Sequence, residues 1–359
     1  MLQNAILAGA SRLACPATST LRPRTRTVAR AEVADDRYPK PPRGYSERFN
    51  VIEKSRWESG IPPVMGAHLM ASGAVAPLST STGPGTGVPM IIDYPGTEVE
   101  VAVSTFTNAK AGAVGLAKLV VKAAEEAIAK KGSFSLALSG GSLLNALPAM
   151  HQLDAKPDFA KWHIFYADER CVPHSSPDSN HGAAKKAFLD GAAIPVDQIH
   201  AIREDLSPDM AAKAYQGDIL GSKACPNVNG IPQIDLILLG IGPDGHVASL
   251  FPHRPQVGVK DELVVEITDS PKPPPERITM TLPLINNAKE VFVVAMGKGK
   301  AEIAQRALEV QAIPGALPAQ LVRPTSGGLR WLLDLEAATE INPELWDSAR
   351  AHPRSIVPK

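Results

Sequence analysis

The sequence predicts an α/β protein with a Rossmann-like open sheet, mainly parallel, with helices on both faces. From Glu98 onward, apolar strand patterns alternate with helix patterns, which is typical of parallel strands joined by crossover helices. The later strand patterns are apolar throughout, as expected when both faces of a strand are covered. Each of them ends in glycines or charged residues, which also predicts the ligand-binding edge of the sheet.

The elements follow one another in a regular order. The first strand pattern, at 99–103, alternates with period two, and a long Ala, Lys and Val helix pattern covers 109–131. Four further strand patterns lie at 134–138, 162–167, 234–239 and 291–296. One helix pattern begins at Leu143, after the first of these strands, and another follows the last strand and ends at Leu308. Because the carboxyl ends of parallel strands meet at one edge, these four strand ends predict a single site.

A glycine turn predicts an anion site at the first of these ends. Ser139, Gly140, Gly141 and Ser142 lie between the strand at 134–138 and the next helix pattern. Glycines let the backbone approach a ligand closely, and a helix N-terminus adds free N–H groups and a partial positive charge. We therefore expect these residues to form a small cradle for an anion.

Charged residues lie at other strand ends. Asp168 and Arg170 follow the second of the four strands, Lys300 follows the last, and Arg277 precedes a further apolar segment. In a chain whose formal net charge is zero, cations gathered around a glycine turn indicate a phosphorylated metabolite as the ligand.

The third strand runs into Gly-Ile-Gly-Pro-Asp-Gly-His at 240–246. Histidine has an ordinary pKa near neutrality, so His246 beside Asp244 suits a general base. The same glycines also match the dinucleotide fingerprint, which must open a helix. Pro252 and Pro255 leave room for roughly two helical turns at most, and the motif lies past the middle of the domain. The dinucleotide interpretation is therefore disfavoured.

Composition narrows the remaining classes of function. Zero net charge offers no support for binding to nucleic acid or to an anionic membrane. No apolar run approaches the roughly 20 residues that a membrane helix needs. The spacing of His174, His181, His246 and His253 matches no standard zinc pattern, so we expect no metal and no other cofactor.

The three cysteines cannot form a disulfide framework. Cys171 follows Arg170, whose charge could lower the pKa of the thiol and make it redox-sensitive. The alternative, a buried inert thiol, is favoured.

The first 31 residues are different in kind, because they contain five arginines and no Asp or Glu. Basic, hydroxyl-rich and acid-poor segments are typical of organellar transit peptides, so we assign 1–31 as a transit peptide with processing near 28–31. The Ser, Thr and Pro content favours the chloroplast stroma over the mitochondrion. The alternative is a disordered basic tail without a targeting role.

Residues 32–97 are rich in Pro, Gly and Ser and are predicted as a largely disordered extension. Within them, the more apolar stretch at 57–70 suggests a second interpretation, in which the extension contacts the folded domain or a protein partner. The folded domain is predicted to span 98–345, followed by a C-terminal tail over 346–359.

Several motifs resemble those of the 6-phosphogluconolactonases, in that family's order. They are Asp-Gly-His-Val-Ala-Ser-Leu-Phe-Pro at 244–252, Ser-Gly-Gly-Ser-Leu at 139–143, Asp-Glu-Arg-Cys-Val-Pro at 168–173, Ser-Asn at 179–180, Ser-Pro-Lys-Pro-Pro-Pro-Glu-Arg-Ile-Thr at 270–279, Gly-Lys-Gly-Lys-Ala at 297–301 and a terminal block at 318–334. The resemblance covers roughly residues 99–340. Val247 stands where the family usually has Thr, which removes one hydroxyl beside His246.

The resemblance implies that 98–345 is a catalytic domain that hydrolyses the small phosphosugar 6-phospho-D-glucono-1,5-lactone without a cofactor. His246 would act as the general base and Asp244 would orient it. The residues implied to bind substrate or its phosphate are Ser139, Gly140, Gly141, Ser142, Asp168, Arg170, Asn180, Arg277 and Lys300.

Two alternatives stay open. The glucosamine-6-phosphate deaminase/isomerase class shares the fold and an Asp-Gly-His loop, but it carries an acid shortly after the His, whereas this chain has none until Asp261. A catalytically inactive lactonase-like binding module, contacting a partner through 32–97, is the second.

Overall fold

The computed structural model describes residues 86–93, 100–154, 156–310, 317–325, 327–348 and 350–351. The predicted transit peptide at 1–31 and most of the extension lie outside these residues. Within the described ranges, no helix combines the length and the apolar character needed to cross a membrane.

Strands and helices alternate along most of the described chain. The strands are β1 (Thr86–Asp93), β2 (Glu100–Phe106), β3 (Phe134–Leu138), β4 (Trp162–Tyr166), β5 (Asp168–Arg170), β6 (Asn227–Val228), β7 (Ile231–Pro232), β8 (Leu236–Gly240), β9 (Val264–Ile267), β10 (Arg277–Met280), β11 (Glu290–Ala295), β12 (Gly328–Asp334) and β13 (Arg350–Ala351). The α-helices are α1 (Ala109–Lys131), α2 (Asn180–Ala187), α3 (Pro208–Gly221), α4 (Leu282–Asn286), α5 (Ala301–Glu309) and α6 (Pro343–Ser348).

The main sheet has the order β13-β1-β2-β12-β11-β8-β3-β4. The strands from β2 to β4 in this order pair in parallel, while β1 and β13 pair antiparallel at one side. The interior strands β3 and β11 are buried along almost their whole length, because both faces of the sheet are covered. The predicted α/β class with a mainly parallel sheet is confirmed.

Local sequence explains the best-defined helix. Asn108 caps α1 by accepting a hydrogen bond from the Ala111 N–H, and Gly132 ends it in the left-handed conformation at φ 83°. The bounds of α1 agree with the predicted 109–131. The helix predicted from Leu143 is instead a 3-10 helix over Gly141–Gln152, with Pro148 inside it. Proline has no N–H and cannot continue an α-helical ladder.

Three expectations need correction at the margins of the domain. Residues 86–93, placed in a disordered extension, form β1 and pair with β2. Residues 350–351, placed in the tail, pair with Met90 and Ile91. The predicted period-two alternation in β2 is absent from its burial, since residues 101–106 are all buried. For the first two, the reason is strand pairing, since β1 extends the sheet beyond β2 and β13 extends it beyond β1. For β2, both faces of the strand are covered, so the inward and outward residues do not differ in burial.

A second, smaller sheet lies beside the first. Its order is β5-β10-β9, and all its pairs are antiparallel. Residues 168–170, which follow a predicted strand, are β5 of this sheet. Met280 N–H donates to the Ala167 carbonyl at 2.8 Å, which joins the small sheet to the end of β4.

Candidate active site

Four parallel strand ends meet where the sequence predicted a site. β11, β8, β3 and β4 are consecutive neighbours in the sheet, so the segments that follow them lie along one carboxyl edge. These segments carry the glycine turn, the His246 loop, the start of β5 and the Lys300 turn. The topology therefore places most of the predicted residues on one side of the molecule.

His246 and Asp244 form a tight pair on the loop after β8. His246 Nδ1 lies 2.5 Å from Asp244 Oδ1, and the His246 side chain is 18% exposed. An ionised carboxylate only accepts hydrogen bonds, so Nδ1 carries a proton, and in the neutral imidazole Nε2 is the nitrogen with the free lone pair. The backbone closes the loop, with Gly242 N–H donating to the His246 carbonyl at 2.9 Å.

Gly242 is required by the closeness of this pair. A Cβ at this position would lie 2.0 Å from His246 Cε1 and Nδ1 and 2.6 Å from Asp244 Oδ1. Any larger residue would displace the imidazole. The glycine that resembled part of a dinucleotide fingerprint thus makes room for the histidine ring.

The charge state of Asp244 is set by opposing effects. Burial alone would raise the pKa of its carboxyl, but the hydrogen bond and charge of His246 and the charge of Lys272 outweigh it and hold the pKa well below its usual range. Asp244 is therefore ionised throughout the physiological range, as an acceptor for the Nδ1 proton must be.

Lys272 joins this pair, although the sequence analysis did not include it in the site. Its Nζ lies 3.3 Å from both Asp244 Oδ1 and His246 Nδ1. Lys272 lies on the loop between β9 and β10, at no parallel strand end. The only signal in the sequence was its position inside the 270–279 motif.

Val247 directly follows His246 and faces the interior. It has no exposed surface and belongs to the hydrophobic core. The Val247 side chain therefore packs in the core directly after His246.

Asp168 connects the two sheets. It is buried, and its carboxylate accepts hydrogen bonds from Ser249 Oγ at 2.7 Å and Ser139 Oγ at 3.4 Å. Ser249 was also missed as a site residue. Its hydroxyl accepts from Arg277 Nη1 at 3.2 Å, so Asp168, Ser249 and Arg277 form one buried chain of hydrogen bonds. This chain fixes the segment that follows His246.

Asn180 lies under the glycine turn. Its side-chain amide donates to the Asp168 carbonyl at 2.8 Å. A Cβ on Gly140 would lie 1.8 Å from Asn180 Oδ1, so this glycine allows the turn to rest on the asparagine. Glu169 holds the start of α2 by accepting from the backbone N–H groups of Asn180 and His181, each at 2.7 Å.

The predicted cradle residues divide into two groups. Ser139 and Gly140 face inward toward Asp168 and Asn180, whereas Gly141 and Ser142 are exposed at the start of the 3-10 helix. The exposed half provides backbone N–H groups and one hydroxyl at the sheet edge.

Arg277 is occupied within the protein. It is only 3% exposed, and its guanidinium donates to the carbonyls of Lys272, Pro273 and Pro274 at 2.9–3.0 Å. With the Ser249 contact, three of its nitrogens already have acceptors. Arg277 thus lies beside the site and holds the loop that carries Lys272 through hydrogen bonds to its backbone.

Arg170 and Lys300 keep donors available. Arg170 Nη1 donates to the Asp178 carbonyl at 2.6 Å, and its Nε is buried without an acceptor in the described part of the chain, so Nη2 is the nitrogen that remains for a ligand. Lys300 Nζ donates to the Ile241 carbonyl at 2.6 Å, which leaves two of its three donors. Burial, and then the charge of Lys272, lower the pKa of Lys300.

Cys171 shows the opposite of an activated thiol. Burial, and then the charges of Glu276 and Glu169, raise its pKa to about 11. The neighbouring Arg170 does not lower it. The inert interpretation of this cysteine is therefore the one that the electrostatics support.

The family model described as glucosamine-6-phosphate isomerases/6-phosphogluconolactonase matches residues 107–331. The chain belongs to this family. A relative named probable 6-phosphogluconolactonase 3, chloroplastic, from Oryza sativa subsp. indica is 42% identical over 239 residues, covering 64% of this chain and 73% of the relative. A probable 6-phosphogluconolactonase 1 from Arabidopsis thaliana is 40% identical over 239 residues, covering 64% of this chain and 89% of the relative.

Solved structures agree with the family assignment. The 6-phosphogluconolactonase from Thermotoga maritima is 26% identical with a TM-score of 0.55, covering 65% of this chain and 98% of its own. The enzyme from Leishmania guyanensis is 26% identical with a TM-score of 0.58, covering 67% of this chain and 98% of its own.

Proposed function

We propose that this protein hydrolyses 6-phospho-D-glucono-1,5-lactone to 6-phospho-D-gluconate in the oxidative pentose phosphate pathway. The observation that carries the proposal is the Asp244–His246 pair, at the carboxyl edge of the sheet, in a chain whose curated relatives are named 6-phosphogluconolactonases. A lactone carbonyl is already electrophilic, so one positioned base and a charged binding site are sufficient for this reaction.

His246 is the proposed general base. Its Nε2 accepts a proton from water as the water oxygen bonds to C1 of the lactone. The bond between C1 and the ring oxygen then breaks, and the imidazolium returns the proton to that oxygen. Asp244 holds Nδ1–H throughout, which fixes the ring orientation and stabilises the imidazolium. Acid–base help of this kind contributes typically about 10²–10⁴-fold.

The cations and the cradle are proposed to bind the charged parts of the substrate. Arg170, Lys300 and the exposed half of the cradle, Gly141 and Ser142, have donors that the protein leaves available. They would hold the 6-phosphate and stabilise the oxyanion that develops at C1. Asp168, Asn180, Ser139 and Arg277 would support these groups from beneath, since their polar atoms bond to one another or to nearby backbone.

A direct assay separates this function from its alternatives. Purified protein is supplied with freshly generated 6-phosphogluconolactone, and the product is measured with 6-phosphogluconate dehydrogenase above the spontaneous rate. The same protein is tested for ammonia release from glucosamine 6-phosphate. We expect lactone hydrolysis only. Ammonia release would indicate the deaminase/isomerase class, and activity on neither substrate would indicate a binding module.

We also propose that the protein is delivered to the plastid stroma by residues 1–31. The acid-poor, arginine-rich composition supports this, and a rice relative is named chloroplastic. A fluorescent fusion of residues 1–40 should accumulate in plastids, and a fusion that stays in the cytosol or enters mitochondria would contradict the assignment. The proposed contact of residues 32–97 with a protein partner falls mostly outside the described residues.

A further inference from the structure

The ammonium group of Lys272 lies at the Asp244–His246 pair and has no role in the reaction proposed above. Lys272 Nζ is 3.3 Å from Asp244 Oδ1 and 3.3 Å from His246 Nδ1. The Lys272 side chain is 39% exposed, and it approaches the pair on the side of the ring that carries Nδ1. The Nε2 atom on the opposite side of the ring is the one proposed to meet water.

The backbone that carries Lys272 is held on both sides. Ser270 Oγ accepts from the Lys272 N–H at 3.3 Å and donates to the Lys272 carbonyl at 2.8 Å. Arg277 Nη2 donates to the same carbonyl at 2.9 Å. A buried guanidinium and a serine thus fix the backbone of Lys272, whose side-chain contacts with the described residues are Asp244, His246 and an aromatic ring. This explains why Arg277 is saturated by loop carbonyls.

That aromatic ring is Phe251, which also supports the histidine. The rings of His246 and Phe251 have centroids 4.7 Å apart, and Lys272 Nζ lies 6.0 Å from the Phe251 centroid. A cation at this distance is attracted to the face of the ring. Phe251 therefore contacts both the ammonium and the imidazole and helps to position them next to each other.

We propose that Lys272 is a positioning residue that acts through the Asp244–His246 pair, holding the carboxylate in place and opposing protonation of the resting imidazole. Its consequence for catalysis rests on the proposed lactonase function. While the His246 ring is uncharged, the positive charge of Lys272 balances the negative charge of the Asp244 carboxylate. Without Lys272, the carboxylate is unbalanced and attracts a second proton to the ring.

Other charged groups near His246 must be distinguished from Lys272. Asp244 lies on the same loop, Lys300 follows β11 and interacts electrostatically with both Lys272 and Asp244, and Arg277 lies 5.7 Å from the Phe251 centroid. Removing Lys272 leaves all three in place. A change in the titration of His246 in that variant would therefore report the ammonium itself.

The test is an NMR titration of the full-length protein labelled with ¹³C at histidine Cε1. The His246 signal is assigned by its loss in His246→Gln. We expect Lys272→Met to move the His246 titration to higher pH by about 0.5 to 1 unit, because a unit charge at this distance in a half-exposed site acts with that strength. Lys272→Arg should restore the wild-type titration. Lys161→Met, which removes an exposed, ion-paired lysine just before β4, is the matched control.

Activity adds an independent measurement. In Lys272→Met, the acidic limb of the pH profile of kcat/KM for the lactone should move to higher pH by the same amount as the NMR titration. The affinity for 6-phosphogluconate and the melting temperature show whether the variant is folded. An unchanged His246 titration in Lys272→Met, or an equal shift in Lys161→Met, would overturn the inference. A wild-type protein without lactonase activity would overturn the proposed function instead, since the titration does not depend on turnover.

Discussion

The carboxyl edge of the main sheet and the small antiparallel sheet beside it contain the same kinds of residue but use them differently. At the carboxyl edge, Lys300 Nζ makes one hydrogen bond with the described residues, and His246 contacts Asp244 through Nδ1 and not through Nε2. In the small sheet, Arg277 and Asp168 bond almost entirely to neighbouring protein groups. Residue type alone therefore does not assign a role to these side chains. Their roles depend on which donors and acceptors are not already bonded to other protein groups.

After the loss of His246 itself, the largest effect is expected at the edge, from Gly242→Ala. Its Cβ would lie 2.0 Å from the His246 ring, so the imidazole must move, and misplacing a base by about 1 Å costs roughly 100-fold in kcat. Steady-state kinetics would measure this. Gly217→Ala is the matched control, because a Cβ there, on α3, meets nothing within 4 Å and should leave kcat unchanged. Equal kinetics in both variants would contradict the geometry.

The second prediction contrasts the two cations directly. Arg277→Met removes the donor from three partly buried carbonyls and from the buried Ser249 hydroxyl, and it should lower the free energy of unfolding by about 2–4 kcal/mol. Lys300→Met removes a partly buried charge with one hydrogen bond and should change unfolding by less than about 1 kcal/mol, while weakening 6-phosphogluconate binding about tenfold or more. Urea unfolding and calorimetric titration provide the two readouts. If Arg277→Met mainly weakened binding and Lys300→Met mainly lowered stability, the structural role of Arg277 and the binding role of Lys300 would both be wrong.

The third prediction concerns pH. Burial and Lys272 lower the pKa of Lys300 in the free protein, whereas a bound phosphate favours the charged amine. Affinity for 6-phosphogluconate should be highest below the pKa of free Lys300 and fall as pH rises through it. Lys300→Arg stays charged across this range, so its affinity should not show that fall. Calorimetric titrations from pH 7 to about 10 would measure both proteins, and parallel curves would exclude Lys300 from phosphate binding.

The smallest effect is expected at Cys171. With a pKa of about 11, it carries very little thiolate at pH 8. Iodoacetamide should modify Cys171 at least tenfold more slowly in the folded protein than in urea, as followed by peptide mass spectrometry. Modification at similar rates in the two states would show that the thiol is accessible and ionised.

Local patterns predicted the parallel part of the fold. β3, β4, β8 and β11 are apolar and buried, so their ends and the cradle, Asp244, His246 and Lys300 could be placed at one edge. β1 was missed because its residues lie in a Gly- and Pro-rich context and become a strand only by pairing with β2.

Lys272, Ser249 and the role of Arg277 could not be predicted from local patterns. They depend on β10 pairing with β5, which joins segments more than 100 residues apart in the sequence. This long-range register places Arg277 opposite Arg170 and beside Ser249. The carbonyls that Arg277 contacts lie only three to five residues before it, but the sequence pattern does not show that the side chain folds back on them. Strand pairing of this kind has no local sequence signal.

The most direct test of the account is lactone hydrolysis by His246→Gln. Glutamine retains similar volume and a donor for Asp244, but it cannot accept a proton from water. We predict that kcat falls by about 100-fold or more, while the affinity for 6-phosphogluconate and the melting temperature stay close to those of the wild type. Turnover near the wild-type rate in this folded variant would contradict the assignment of His246 as the base.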